Sequence, residues 1–393
     1  MKQRLTILFV SLCFLGSSWA NAQEKPSYQA DSIEIANLQK FSNMIIDSVE
    51  NGYTSIITRH LGKNEFFSEI WNQLDSSVIA KIPLAEIDEV KDGIYSKITG
   101  KIFPFVTPTV DNIGLINNYW SESGRPNLTY RFVTDGNYSY FDIELVYDGN
   151  SFRIADVYVY STSTYLSTVT KNLLESSLNL ESYNANENML IKYSLLVSSN
   201  KWNEIPQAYE QLSEKEQQLP FVMIHYLTAL SKQNKIEEAI DFSDKLIKTY
   251  PSNVAPYMQL IHIYDKLKDY KKCLAAVDSV DTLIGGDPYL NQFRAICNQR
   301  MGNIKEFVGY AKQVMEDFPL FRQMHYVLID EALALKDKDA LMVILAGYSK
   351  NFYVVPEIMK AIESSAGFMN KDERFTKWVA DSKKEYEEWA KQQ

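Results

Sequence analysis

A period of 34 residues runs through the second half of this 393-residue chain and constrains its fold more than any other feature. Two marker positions recur in five consecutive units, which hold Ile205 and Gln217, Ala239 and Pro251, Cys273 and Gly285, Phe307 and Pro319, and Leu341 and Tyr353. A helix-breaking position in mid-unit holds Asn200, Asn234, Lys268, Gly302 and Lys336. Five units in one phase, without insertions, predict helix–turn–helix units that bury their apolar faces by stacking on one another.

The 34-residue helix–turn–helix spacing resembles the tetratricopeptide repeat (TPR) family. The resemblance implies an all-α superhelical solenoid of five units, which span residues 186–219, 220–253, 254–287, 288–321 and 322–355. The family places Gly or Ala at the eighth position of a unit, and here only Ala295 keeps that pattern. Residues 356–393 are predicted to form capping helices, because the end of a solenoid needs a polar outer face.

In TPR proteins the first helix of each unit lines a concave groove through its second, fifth, ninth and twelfth positions. Carried over to this chain, the resemblance implies a groove that includes Phe221, Met258, His262, Asp265, Tyr289, Gln292, Gln299, Tyr326 and Asp330. The family variant that clamps a C-terminal carboxylate needs Lys and Asn at the fifth and ninth positions, and this chain has neither pair. The groove is therefore expected to bind an extended peptide, or a helix with an apolar stripe and some basic character. The alternative is a solvated concave face, with the contacts on the convex side or at the cap.

Residues 31–180 predict a separate α+β domain. Apolar residues at helical spacing, among them Leu38, Phe41 and Ile45, give way to period-2 alternation between residues 127 and 160. Asp135-Gly136 and Asp148-Gly149 separate the alternating runs, and Asp-Gly is a strong signal for a tight hairpin turn. The sequence therefore predicts a three-stranded antiparallel meander.

Helices followed by a meander resemble the cone-shaped, cystatin-like fold of the nuclear-transport-factor and steroid-isomerase superfamily. Enzymes of that superfamily place an Asp or His in the pocket, so the resemblance makes Asp156 the candidate for acid–base chemistry. Strict alternation places Asp156 on one face with Phe152, Ile154 and Tyr158. The alternative is a structural Asp156 that bonds to a Tyr or to a backbone amide at the sheet edge.

Asp142 is expected to share a solvated face with Glu144, Tyr138 and Tyr140. The chain alternates at these positions, so all four side chains lie on the same side of the predicted strand. This face carries charge and hydroxyl groups, and the meander was expected to turn it towards water.

The start of the chain predicts export. Residues 1–22 combine a basic start, a short apolar run and a small-residue cleavage site, which is typical of a signal peptide. Leu12 stands where a lipoprotein signal needs a small residue before Cys13, so no lipid anchor is expected. Residues 23–30 are polar and are predicted to be disordered. We expect a periplasmic or secreted protein, and its Tyr- and Asn-rich composition resembles proteins of Bacteroidota.

Several chemistries find no support in the sequence. A net charge of −10 without a basic cluster disfavours nucleic acid and anionic membranes as partners. The four histidines are scattered, so neither a metal site nor a cofactor is predicted. Cys273 and Cys297 fall on neighbouring helices and are interpreted as two buried packing residues, with a disulfide as the alternative.

Two functional hypotheses remain. The first is a non-catalytic protein–protein interaction scaffold that uses the concave face of the repeats. The second is a small-molecule-binding or enzymatic cone domain that the repeats recruit to a complex. A pocket around Asp156 would favour the second hypothesis, whereas a cone filled with Tyr and Phe side chains would favour the first.

Overall fold

The structure of the chain is a computed structural model that describes residues 32–53, 55–97, 110–121, 123–178 and 189–392. An N-terminal domain of helices and an antiparallel sheet precedes a long all-helical array, which confirms the predicted fold class. The predicted signal peptide and the predicted disordered segment lie outside the described residues. In the described part of the chain, no helix is both long and apolar enough to cross a membrane.

Five helices open the N-terminal domain and pack on one face of its sheet. They are α1 (Ser32–Glu50), α2 (Ile56–His60), α3 (Lys63–Gln73), α4 (Ser76–Ile79) and α5 (Ile87–Lys97), with a 3₁₀ turn at Leu84–Glu86. The predicted stripe Leu38, Phe41, Ile45 is buried on α1. Tyr53 follows the end of α1 and is 67% exposed.

The sheet has five antiparallel strands in the order β1-β2-β3-β4-β5, so the predicted three-stranded meander was incomplete. The strands are β1 (Asn112–Trp120), β2 (Pro126–Thr134), β3 (Asn137–Tyr147), β4 (Phe152–Val159) and β5 (Thr164–Tyr165), and α6 (Leu166–Leu178) follows directly. β1 was missed because it is an edge strand with a register shift after Leu115, and it carries Asn117 and Asn118 where alternation would need apolar residues. β5 is too short to show a period.

A β-bulge at Ala155 decides which way the second half of β4 faces. Leu145 pairs with Ile154 but Glu144 pairs with Asp156, so Ala155 has no partner on β3. The extra residue reverses the alternation, since each single step along a strand moves a side chain to the other face. Asp156 therefore does not share a face with Ile154, as strict alternation had predicted, and lies instead beside Glu144.

The repeat array consists of helix pairs at the predicted spacing. Its helices are α7 (Met189–Ser198), α8 (Ile205–Glu210), α9 (Glu214–Gln217), α10 (Pro220–Lys232), α11 (Ile236–Thr249), α12 (Ala255–Lys266), α13 (Tyr270–Ile284), α14 (Asn291–Arg300), α15 (Ile304–Asp317), α16 (Arg322–Leu335), α17 (Lys338–Asn351), α18 (Pro356–Ser365) and α19 (Glu373–Ala390). Short 3₁₀ turns at Pro288–Leu290 and Gly367–Met369 precede α14 and α19. Residues that face between helices form two apolar clusters. The larger one includes the fully buried Leu227, Ala295 and Leu341, and the first unit has its own cluster around Tyr193.

The mid-unit positions identified from the period share one backbone conformation. Their φ angles are 54° at Asn200, 61° at Asn234, 59° at Lys268, 78° at Gly302 and 55° at Lys336. This left-handed conformation ends the first helix of a unit and reverses the chain, and Gly and Asn adopt it most readily. The same turn therefore closes the first helix in all five units.

Candidate binding groove

The predicted groove positions lie on the first helices of four adjacent units, α10, α12, α14 and α16, except Tyr289, which lies in the 3₁₀ turn before α14. Only some of these positions are accessible. Buried positions are Phe221, Met258, Tyr289, Gln292 and Gln299. Tyr326 is half-buried. The remaining three, His262, Asp265 and Asp330, are exposed. The groove is thus filled on one side and open on the other.

Phe221 is buried in the apolar cluster of the first unit, whereas Tyr289 is covered by the chain's own β-sheet. Tyr138 on β3 packs its ring 5.6 Å from the ring of Tyr289 and 5.2 Å from that of Phe293. The guanidinium of Arg131 on β2 lies 4.8 Å from the Tyr289 ring centre and 5.1 Å from that of Phe318. Tyr289 retains only 2% of its exposure, so an external partner cannot reach it in this arrangement.

A buried ion pair joins the sheet to the repeats at this place. Arg131 Nη1 donates to Asp287 Oδ1, and Tyr140 donates its hydroxyl to Asp287 Oδ2 at 2.8 Å. Both charged side chains are almost fully buried, at 3% and 0% exposure. Burial raises the pKa of Asp287, and the charge of Arg131 and these hydrogen bonds oppose the rise. Removal of either partner would leave a buried charge uncompensated, which typically costs about 3–5 kcal/mol.

The repeat itself provides the points of attachment. Asp287 and Asn253 are the last residues of successive units, 34 positions apart. Each side chain accepts a bond from the backbone N–H two residues later, at Tyr289 and Ala255, both at 3.0 Å. Each also holds the N-terminal domain, since Asn253 Oδ1 accepts from the Ser163 hydroxyl. The sheet therefore rests on the turns between units, beside the N-terminal ends of the first helices.

The hairpin between β2 and β3 extends this contact to the next unit. A Cβ built on Gly136, at the hairpin tip, would lie 3.7 Å from Nε2 of Gln323, the second position of the fifth unit. The sheet thus lies along the side of the groove formed by the second positions of three units, which are Ala255, Tyr289 and Gln323. We call this the second-position side of the groove. Sequence patterns alone could not reveal this contact, because it joins two elements more than 150 residues apart.

The face of the sheet that packs here corrects a prediction. Tyr138, Tyr140, Asp142 and Glu144 were expected on a solvated face, yet Tyr140 is 0% and Asp142 4% exposed. The repeats cover the tyrosines, while Tyr119 and Thr129 donate hydrogen bonds to the Asp142 carboxylate. Burial raises the pKa of Asp142, and these two bonds partly offset the rise.

The open side of the groove carries acceptors. His262 and Asp265 on α12 and Asp330 on α16 flank α14, whose Gln299 keeps its carbonyl Oε1 buried and without a hydrogen-bond partner in the described part of the chain. Partial desolvation and the neighbouring Glu331 raise the pKa of Asp330. A surface with two exposed carboxylates suits a partner that brings N–H donors or positive charge.

The carboxylate of Asp156, the candidate acid–base residue, accepts three hydrogen bonds from within the fold. Its carboxylate accepts from the Val157 N–H at 2.8 Å, from the Ser167 N–H at 3.1 Å and from the Ser167 hydroxyl. Burial raises its pKa to about 7, against the effect of those hydrogen bonds. Ser167 lies in the first turn of α6, so the carboxylate ties β4 to that helix. The arrangement matches the structural interpretation, in which Asp156 bonds to backbone amides.

The helix-facing side of the sheet is filled with aromatic side chains. Tyr130, Phe132 and Phe141 are buried there together with Phe66 and Phe67 from α3. The Tyr130 hydroxyl donates to Ser42 Oγ at 3.0 Å. Among the described residues, no group of three or more His, Cys, Asp or Glu side chains could hold a metal ion.

Cys273 and Cys297 are free, buried thiols at the packing surface between α13 and α14. The Cys273 Sγ lies 3.5 Å from the Ile261 carbonyl. A hydrogen bond between the two thiols raises the pKa of Cys273, and burial raises it further. The two sulfur atoms are therefore close neighbours in the interior of the array.

Comparisons with known proteins give matches to parts of this chain. The sequence profile of the ChAPs family (Chs5p-Arf1p-binding proteins) matches residues 137–298. A crystal structure of YrrB, described as a TPR protein with an unusual peptide-binding site, is 15% identical and has a TM-score of 0.33. That match covers 45% of this chain and 90% of YrrB. No curated protein matches the chain.

Proposed function

We propose that this protein is a non-catalytic protein–protein interaction scaffold that binds its partner on the open side of the groove. The observation that carries the proposal is the exposure of His262, Asp265 and Asp330 on α12 and α16, the first helices on either side of α14, while the sheet packs on Tyr289 at the second position. A partner would meet the exposed carboxylates of Asp265 and Asp330, so a peptide or helix with basic character fits this surface.

The filled interior of the N-terminal domain favours the scaffold over the small-molecule alternative. The aromatic side chains between α3 and the sheet leave their side of the sheet packed. Asp156 already accepts three hydrogen bonds, so its carboxylate is engaged within the fold. We therefore assign the N-terminal domain a role in shaping the groove.

The test compares three versions of the full mature chain in a pull-down from cell-envelope extract. The groove variant combines His262→Ala, Asp265→Asn and Asp330→Asn. The control variant combines Glu237→Gln, Asp241→Asn and Asp244→Asn, which change exposed acids on α11, the second helix of its unit. We expect the wild type and the control variant to recover the same partners and the groove variant to lose them. Equal recovery by all three would refute the groove assignment, and no specific recovery by the wild type would refute the scaffold.

We also propose that the protein works in the periplasm or outside the cell, on the basis of the signal-peptide pattern in residues 1–22. Protein recovered from cells should then begin at Gln23 when its N-terminus is determined by mass spectrometry. Protein that keeps Met1 would contradict export by this route.

A further inference from the structure

A cleft of about 400 Å³ opens where the N-terminal domain meets the repeats. Glu50 at the end of α1 forms one wall, and Val110–Ile113 at the start of β1 form the second. The turn Asp317–Phe321 between α15 and α16 forms the third. This seam cleft exists only where the two domains are in contact.

The seam cleft is acidic. Glu50, Asp111 and Asp317 line it, all three are exposed, and none of them forms a salt bridge in the described part of the chain. Glu50 and Asp317 are the last residues of α1 and α15, and neither helix has a basic residue in its last turn. The negative ends of two helix dipoles therefore add to the field of the carboxylates.

Two cations adjoin the seam cleft, and both are engaged elsewhere. Arg131 is 2% exposed, pairs with Asp287, and donates Nη2 to Asn112 Oδ1 at 2.6 Å beneath the cleft wall. The Arg322 guanidinium stacks 4.7 Å from the Phe352 ring centre. Neither forms a salt bridge with the three carboxylates in the described part of the chain, so the carboxylates are available to a cation from a partner.

The floor and rim of the seam cleft are apolar. Ile113 is 4% exposed at the floor, and Phe318 and Phe321 are half-buried beside it. Leu320 projects from the turn with 81% of its surface exposed, the largest value among the exposed large hydrophobic side chains of the described chain. An acidic rim around an apolar floor is complementary to a side chain that has an aliphatic stem and a positive head.

We propose that the seam cleft is a second docking site, which binds a protein segment that carries lysine or arginine next to apolar residues. The cationic head lies between the carboxylates of Glu50 and Asp317, and the apolar neighbour covers Phe318 and Leu320. Because both domains build the seam cleft, such a segment binds the docked arrangement and stabilises it. The site is independent of the groove, since it shares no residue with His262, Asp265 or Asp330.

The test measures binding of fluorescent synthetic peptides to the full chain by anisotropy. The probe is a peptide of about eight residues in which lysine and leucine alternate, and the comparison peptides alternate lysine with serine or glutamate with leucine. We expect the lysine–leucine peptide to bind about tenfold more tightly than either comparison peptide, and to weaken as salt rises from about 0.05 M to about 0.3 M.

Substitutions in the seam cleft test whether the lysine–leucine peptide binds there. The combined change Glu50→Gln, Asp111→Asn and Asp317→Asn should weaken the lysine–leucine peptide about tenfold, and Leu320→Ser should weaken it several-fold. The Glu237→Gln, Asp241→Asn, Asp244→Asn control removes the same number of charges and should bind as the wild type does. Three results would each overturn the proposal. They are wild-type affinity in the Glu50–Asp111–Asp317 variant, an equal loss of peptide affinity in the control variant, and equal affinity of the lysine–serine and lysine–leucine peptides. Unchanged circular dichroism and melting temperature verify that each variant is folded.

Discussion

At the scale of single residues, Asp156 shows how burial and hydrogen bonding compete. Desolvation raises its pKa to about 7 even though three donors favour the ionised form. In the unfolded chain an Asp has a pKa near 4. A carboxyl group whose pKa is higher in the folded state favours folding while it is protonated, and this contribution is lost as the pH rises from about 4 through about 7.

Asp156→Asn should therefore flatten the pH dependence of stability. Asn is neutral at every pH and can still accept from the Ser167 and Val157 amides. We expect the free energy of unfolding of the wild type to fall by up to about 3 kcal/mol more than that of the variant between pH 5 and pH 8.5, because about two pH units of the difference between the unfolded and folded pKa lie in this window and each unit corresponds to about 1.4 kcal/mol. Urea titrations at both pH values measure this. Parallel pH profiles for the two proteins would show that Asp156 is not the titrating group.

At the scale of elements, the intra-unit turn repeats one backbone conformation with different residues. Gly302 adopts φ 78° at this turn, where a Cβ would be strained. Gly309, seven residues later, lies within α15, and a Cβ there would meet nothing within 4 Å. The two glycines lie in the same unit, but only Gly302 has a left-handed backbone conformation that favours glycine.

The two alanine substitutions should have opposite effects. Gly302→Ala is expected to lower the free energy of unfolding by about 1–2 kcal/mol, because the left-handed conformation disfavours a Cβ. Gly309→Ala is expected to raise it by about 0.5–1 kcal/mol, because Ala loses less conformational entropy in a helix. Denaturant unfolding of both variants gives the comparison. A change of the same sign in both would contradict the assignment of the turn.

The elements that the sequence predicted best are those whose pattern is local. The 34-residue period predicted the helix pairs, and its mid-unit positions adopt the left-handed turn. Asp135-Gly136 predicted the hairpin between β2 and β3, and Asp148-Gly149 predicted the hairpin between β3 and β4. β1 was missed because its polar residues hide the alternation, and the face of Asp156 was wrong because the bulge at Ala155 leaves no signal in the period.

At the scale of the whole molecule, the concave face is the part that sequence could not describe. The groove positions followed from the TPR resemblance, but their exposure depends on where a distant sheet docks. Tyr138 and Tyr140 alternate on β3 as solvent-facing residues would, and only the repeats behind them make them a buried surface. The sequence did not predict that Arg131 and Asp287 would form an ion pair, because a buried ion pair leaves no periodic pattern in the sequence.

The central claim is that the chain's own sheet fills the second-position side of the groove and leaves the other side to a partner. The most direct measurement is cross-linking of Asn137→Cys at the β2–β3 hairpin to Gln323→Cys with a short thiol-reactive reagent, in a chain whose Cys273 and Cys297 are changed to Ser. The control pairs Gln323→Cys with Asn150→Cys, at the opposite end of β3 and about 35–40 Å away along the strand. We predict rapid intramolecular cross-linking of the first pair and none of the second. Failure of the first pair, or equal reaction of both, would contradict a sheet docked on the repeats.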